Sequence, residues 1–185
     1  MGKLVDALTS HLKEFIEQQH IFFVATAPLS AEGHINLSPK GLNNFKIISD
    51  TCVAYLDFIG SGNETSAHTL ENGRITIMFC SFEKVPNIVR LYGKGRCVLP
   101  GDSDWDFFAS HFEITSGTRQ IIVNDIDSIQ SSCGYGVPFY EYKGERSILY
   151  DWMDKKGEEG LKNYMKEKNT VSLDGLPTHL ASKVL

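Results

Sequence analysis

The sequence predicts a mainly β, α+β fold, an antiparallel barrel with helices between its strands and at both ends. Three observations carry this prediction. Six or seven segments have the apolar, β-branched composition of strands and are separated by turn residues. Helical periodicity is confined to the two ends and to short inserts. The regular strand–helix–strand alternation of a doubly wound sheet is absent.

From the N-terminus, Leu4, Val5, Leu8, Leu12, Phe15 and Ile16 recur at helical spacing and predict a helix over 4–15 with one buried stripe. Residues 21–27 (IFFVATA) form a dense apolar run stopped by Pro28, which reads as a buried strand. Glu32-Gly33 supplies a turn, and 34–37 returns as the second strand of a hairpin. Residues 45–48 and 52–58 pair across Ser49-Asp50-Thr51. Residues 60–72 open with Gly, Ser, Gly and Asn and continue as a short helix that Gly73 stops. Residues 74–79 return to strand composition. Residues 87–99 form a long strand with Gly93 and Gly95 near its middle, where a bend or bulge is expected. Residues 102–112 are helical, capped by Ser103 or Asp104, and 121–129 form a further strand. Residues 146–166 are helical in composition, with a candidate break at Lys155-Lys156-Gly157. The polar tail from Asn169 turns at Asp174-Gly175-Leu176-Pro177. This gives one domain over 1–140, with 141–185 as a helical extension packed on it.

Composition bounds the partners. The chain has 185 residues, 42% hydrophobic and 22% charged, enough for an ordinary core. A formal net charge of −5 speaks against nucleic acid or an anionic membrane surface as partner. It does not oppose a small anionic ligand, which one Lys and a few amides can hold. Cys52, Cys80, Cys97 and Cys133 show no C-x-x-C spacing and no zinc pattern. They read as buried free thiols of a reducing compartment, with no metal site expected. Residues 1–19 lack the apolar core of a signal peptide, and no apolar run is long enough to span a bilayer. The cytoplasm is the expected location.

Two polar segments stand out. Asn36-Leu37-Ser38-Pro39-Lys40-Gly41 closes a strand. Pro39 keeps Ser38 extended, Lys40 presents three donors on a point charge, and Gly41 permits close backbone approach. Gly60-Ser61-Gly62-Asn63-Glu64-Thr65-Ser66-Ala67-His68 forms a strand-to-helix junction. Free N–H groups and the positive end of the dipole at a helix start suit a phosphate. Each segment alone reads equally as plain turn chemistry, a hairpin exit or a capped helix. Converging, they suit a phosphate monoester and are too little for a triphosphate with its magnesium. Asp57 reads as a partly buried carboxylate or a surface strand end. Arg146 and Trp152, six residues apart, either clamp a flat ring or a phosphate, or form an ordinary surface charge and a buried Trp. No Ser/His/Asp or Cys/His arrangement is visible, so the catalytic residues are unknown.

The order strand, INLSPKG, strand pair, GSGNETSAHTLENGRITIMF, NIVRLYGKG resembles the pyridoxamine 5′-phosphate-oxidase-like, FMN-binding split-barrel family over about residues 15–98. The later SSCGYGVPFY, GERSILYDW and SLDGLP resemble an uncharacterised subfamily. The resemblance implies a six-stranded antiparallel split barrel that forms a homodimer, with FMN at the dimer interface. It implies that Asn36, Leu37 and Ser38 line the flavin ring and that Lys40 points to the phosphate. Gly62, Asn63, Glu64, Thr65 and Ser66 would add phosphate contacts. The oxidase proper carries Ser-Arg-Lys where this chain has Glu64, Thr65 and Ser66. That departure removes two positive charges and adds a negative one, which leaves Lys40 as the main fixed cation of the two segments. The oxidase's substrate-holding Arg and His find no match in 145–152, so pyridoxamine phosphate is not the expected substrate. The expectation is an FMN-dependent oxidoreductase acting on an unknown small molecule. The alternatives are a flavin carrier or sensor without turnover, and a haem-binding barrel with His68 or His34 as axial ligand.

Overall fold

Strands whose residues alternate between buried and open curl one antiparallel sheet around an apolar interior. The computed structural model describes residues 4–184. Its strands are β1 (Leu4–Val5), β2 (Phe22–Thr26), β3 (Asn36–Lys40), β4 (Phe45–Ile47), β5 (Cys52–Phe58), β6 (Arg74–Cys80), β7 (Ile88–Val98) and β8 (Thr118–Ser132). Its helices are α1 (Ser10–Glu17), α2 (Glu64–Glu71), α3 (Trp105–Ala109), α4 (Ile148–Lys168) and α5 (Ala181–Val184). The sheet runs β3-β2-β6-β7-β8-β5-β4, with β1 paired to β8.

The two ends of this sheet meet through side chains. Phe22 of β2 lies 5.2 Å from Phe45 of β4, ring centre to ring centre, and 5.4 Å from Tyr55 of β5. Phe45 lies 4.9 Å from Phe79 of β6. Strands far apart in the pairing order therefore share one core, with Val24, Ile77, Leu91, Ile122 and Ile129 fully buried beside them. The described residues contain no backbone ladder between β3 and β4. The barrel is closed by aromatic rings and is split in its hydrogen bonding.

The fold class matches the sequence expectation, with local differences. Seven strands lie in the continuous order, plus the two-residue β1, where six were expected. Leu4 and Val5 are strand, paired with Gln130 and Ile129, and the helix starts only at Ser10. Thr9 fixes that start by accepting a hydrogen bond from Leu12 N. The hairpin's return strand runs over Asn36–Lys40, so Pro39 and Lys40 lie within it. Proline's missing N–H is tolerated because β3 is an edge strand paired only with β2. The bulge expected in the long strand falls between Tyr92 and Gly93. A Cβ at Gly93 would stand 2.2 Å from Asp125 O and from Asn124 Oδ1. Gly157 breaks α4 with φ +65°. Met153 and Leu161 of α4 pack on Ile59, which fastens the C-terminal extension to the barrel. Cys80 and Cys97 are buried as expected, but Cys52 is only half-buried and Cys133 is exposed. No described helix is long and apolar enough to cross a membrane.

Candidate functional site

The end of β5 carries a carboxylate into the interior. Asp57 is 3% exposed. Its Oδ1 accepts from Lys40 Nζ of β3 at 2.9 Å. Its Oδ2 accepts from Arg119 Nε at 3.1 Å, Arg119 Nη2 at 2.6 Å and Gln120 Nε2 at 2.8 Å. Burial pushes the Asp57 carboxyl up, but Arg119, Lys40 and the Gln120 amide outweigh it. The carboxyl is held well below the usual carboxylate range. The cluster of two cations and one anion keeps one net positive charge.

A cavity of about 360 Å³ opens on this cluster. Both segments singled out in the sequence line it: Asn36, Ser38, Pro39 and Lys40 from one, Gly60, Ser61, Gly62, Asn63, Glu64 and Thr65 from the other. Period-two alternation along β3 explains Asn36, Ser38 and Lys40, while Pro39 lies where the two cavities meet. The alternation places Leu37 on the opposite, exposed face, lining neither this cavity nor its neighbour. Asn36 Nδ2 donates to Thr26 Oγ1 and to Thr65 Oγ1, both at 3.1 Å, and its Oδ1 accepts from Ser38 Oγ at 2.9 Å. These bonds fix the floor of the cavity.

The start of α2 forms another wall. Asn63 gives the helix no side-chain cap. Its amide is spent elsewhere, accepting from Gln120 Nε2 and donating to Asn169 O. The first N–H groups of α2 therefore have no capping side chain from Asn63, and Arg119 Nη1 donates to Gly62 O beside them. The Glu64 carboxylate accepts from Leu173 N. Ser66 is fully buried and lines neither cavity, because its hydroxyl accepts from His179 N.

A second cavity, a groove of about 1900 Å³, shares Pro39, Lys40, Gly60 and Ser61 with the first. Phe15, Phe82, Tyr140, Tyr142 and Trp152 give it an aromatic lining, and Arg146 and Lys156 add charge. An extended segment over 139–147 covers one side. It is tied down by Glu145, which accepts from Leu42 N and Tyr142 OH, and by His20 stacked 3.7 Å from Tyr142. Arg146 and Trp152 thus line the groove and not the smaller cavity. Trp152 packs against Tyr164 with Lys156 over its ring.

The remaining candidates lie elsewhere. His68 is fully buried with Nδ1 at 2.9 Å from Thr26 Oγ1, and burial pushes its pKa down. His34 sits on Asp174, and neither His lines either cavity. Burial pushes the Cys97 thiol up to about 12 and the Cys52 thiol up to about 11, so neither is a thiolate at neutral pH. Sequence reasoning missed Arg119 and Gln120. The signal was thin: two polar residues just before an apolar strand.

The donor set suits a phosphate monoester in Lys40, Arg119 and a helix start without a side-chain cap, set against the buried Asp57 and the Glu64 carboxylate of the cavity wall. Comparisons with known proteins agree with the fold. Residues 8–133 match the family model for pyridoxamine 5′-phosphate oxidase. The pyridoxamine 5′-phosphate oxidase family protein ustO of Aspergillus flavus is 36% identical over 191 residues, covering 93% of this chain and 76% of that protein. HupZ of Group A Streptococcus superposes with a TM-score of 0.53 at 20% identity, covering 72% of this chain and 99% of that one. A Lactobacillus delbrueckii structure gives 0.52 at 12% identity, covering 68% and 94%.

Proposed function

The chain belongs to the pyridoxamine 5′-phosphate oxidase family, and from that premise we propose that it binds FMN and works as a flavin-dependent oxidoreductase on a small molecule. The observation that carries this reading is the junction of the two cavities. A small polar end with Lys40, Arg119 and the start of α2 suits the phosphate. It opens through Pro39, Lys40, Gly60 and Ser61 onto an aromatic groove that suits a flat ring. Phosphate and ring of one flavin mononucleotide make the same pair of demands.

Lys40 and Arg119 would neutralise the phosphate, and Ser61 and Thr65 offer hydroxyls. When bound, FMN supplies the electron-transfer chemistry, and the protein supplies binding, orientation and tuning. The aromatic residues of the groove exclude water from the ring side. Arg146 lines the groove and would offer a positive charge to an anionic or flat substrate. The groove exceeds the roughly 300–1,000 Å³ of a drug-sized pocket, so a substrate has room beside the ring. We also propose that two copies pair across this groove. Tyr140 and Ile148, which line it, and Phe139 beside them are exposed apolar residues.

The test is the visible spectrum of the purified protein, with mass spectrometry of what it releases. Yellow protein releasing FMN is expected. Lys40→Ala should weaken FMN at least ten-fold, as loss of a charge-assisted hydrogen bond of about 1.5–3 kcal/mol requires. A colourless protein that takes up no added FMN would sink the reading. Oxidation of NAD(P)H by the loaded protein separates an enzyme from a carrier.

A further inference from the structure

Residues 169–180 form a small hairpin beside the polar cavity. Val171 and Pro177 form an antiparallel bridge. Ser172 N donates to Leu176 O at 2.8 Å, and Gly175 N donates to Ser172 O at 3.0 Å. At the stem, Thr178 Oγ1 donates to Asn169 O at 2.7 Å. Asn169, Ser172, Thr178 and Leu180 of this segment are all buried.

What the hairpin grips is the loop that walls the cavity. Asn169 Nδ2 donates to Gly60 O at 2.8 Å, and Asn169 O accepts from Asn63 Nδ2 at 2.9 Å. Leu173 N donates to the Glu64 carboxylate at 3.1 Å. His179 N donates to Ser66 Oγ at 3.1 Å. The hairpin's turn is tied separately, with Asp174 Oδ2 accepting from His34 N at 2.7 Å. Four residues of the 60–66 stretch are therefore held by the last part of the chain.

The connection continues inward. Asn63 Oδ1 accepts from Gln120 Nε2 at 2.8 Å, and the same amide nitrogen donates to Asp57 Oδ2 at 2.8 Å. Asp57 in turn holds Lys40 and Arg119. Asn169, Asn63, Gln120 and Asp57 are all buried; one hydrogen-bonded line runs from the Asn169 backbone carbonyl through the side chains of Asn63, Gln120 and Asp57 to the two cations, while the Asn169 side chain holds the loop at Gly60 O.

We propose that hairpin 169–180 is a strap that sets the shape of the 60–66 loop and the placement of the cation cluster, with Asn169 as the positioning residue through which it acts. Its consequence for the ligand rests on the phosphate reading of the cavity; its mechanical action does not. Gly60, Ser61 and Gly62 alone are a permissive stretch of backbone. The strap orders them before a ligand arrives, which removes that cost from binding.

The test uses the full-length chain with Asn169→Ala, and Asp174→Ala as a milder release at the hairpin's turn. Amide hydrogen exchange is read in 60–66 and in β7 and β8, and FMN and riboflavin are titrated. In Asn169→Ala, exchange in 60–66 should accelerate roughly ten-fold, as loss of the one hydrogen bond from Asn169 Nδ2 to Gly60 O implies, with β7 and β8 unchanged. Asp174→Ala should move the same amides less. FMN affinity should fall roughly ten-fold while riboflavin, which lacks the phosphate, binds as before. Unchanged loop exchange in both variants overturns the strap. So does acceleration spread equally through β7 and β8, or equal weakening of FMN and riboflavin. If the unaltered protein binds neither flavin while the loop amides still respond, the strap stands and the flavin reading falls.

Discussion

Asp57 shows how far a single residue can be read in advance. Its place at the end of an apolar strand left buried carboxylate and surface strand end equally open. What decides it is the β5–β8 register, which sets Asp57 opposite Gln120 with Arg119 adjacent. Those partners lie 62 and 63 positions away, beyond any local pattern. The same register changes the role of Lys40. It is one of two cations sharing a carboxylate, where the two polar segments by themselves offered only Lys40. Asp57→Ala would leave Arg119 buried and unpaired, a change that costs about 3–5 kcal/mol in comparable buried pairs. Against a typical total of about 5–15 kcal/mol, that is a large share. The folded-state pKa of Asp57 is depressed, so its contribution is fully present above the unfolded value of 3.8. Urea unfolding should show a constant gap between the protein and Asp57→Ala at neutral pH. That gap should narrow as the pH falls below 3.8.

At the scale of elements, strand cores were legible and strand ends were not. Apolar runs announced β2, β5, β6 and β7 from composition alone. The polar ends of β3 and β8 looked like loop, although Pro39, Lys40, Arg119 and Gln120 all lie within strands. These ends are polar because they line a cavity, so the site itself obscured the boundary. Leu4 and Val5 misled in the other direction. Their spacing continues the stripe of α1, but strand pairing with β8 claims them. Gly93 was read correctly, since a glycine within a long strand marks a bulge or a close approach. Gly93→Ala forces a Cβ onto the backbone of Asp125, where only a shift of β7 against β8 can relieve it. The denaturation midpoint should fall by the equivalent of about 1–3 kcal/mol, with the m-value unchanged.

For the whole molecule, the closure by Phe22, Phe45, Phe79 and Tyr55 is the organising fact. The sequence supplied the rings but not their meeting, because Phe22 and Phe79 come from strands that do not pair with β4. Antiparallel architecture was legible because no helix of crossover length separates most neighbouring strands. The groove was not legible, since its walls come from α1, β3, the 139–147 segment and α4. A groove of this size beside exposed aromatic residues is the basis for proposing paired chains. Sedimentation equilibrium should therefore return twice the 20.7 kDa chain mass, and a monomer at micromolar concentration would refute the pairing.

The open side of the barrel has a consequence for solubility. β3 presents an unpaired rim, and such rims recruit strands from other chains into aggregates. Pro39 and Lys40 stand on that rim, one without an N–H to share and the other charged. The pair that shapes the polar cavity is thus also the barrel's guard against sticking to its neighbours. A chain that exchanged both for β-branched residues should aggregate more readily and, on the proposed FMN reading, hold the phosphate less tightly.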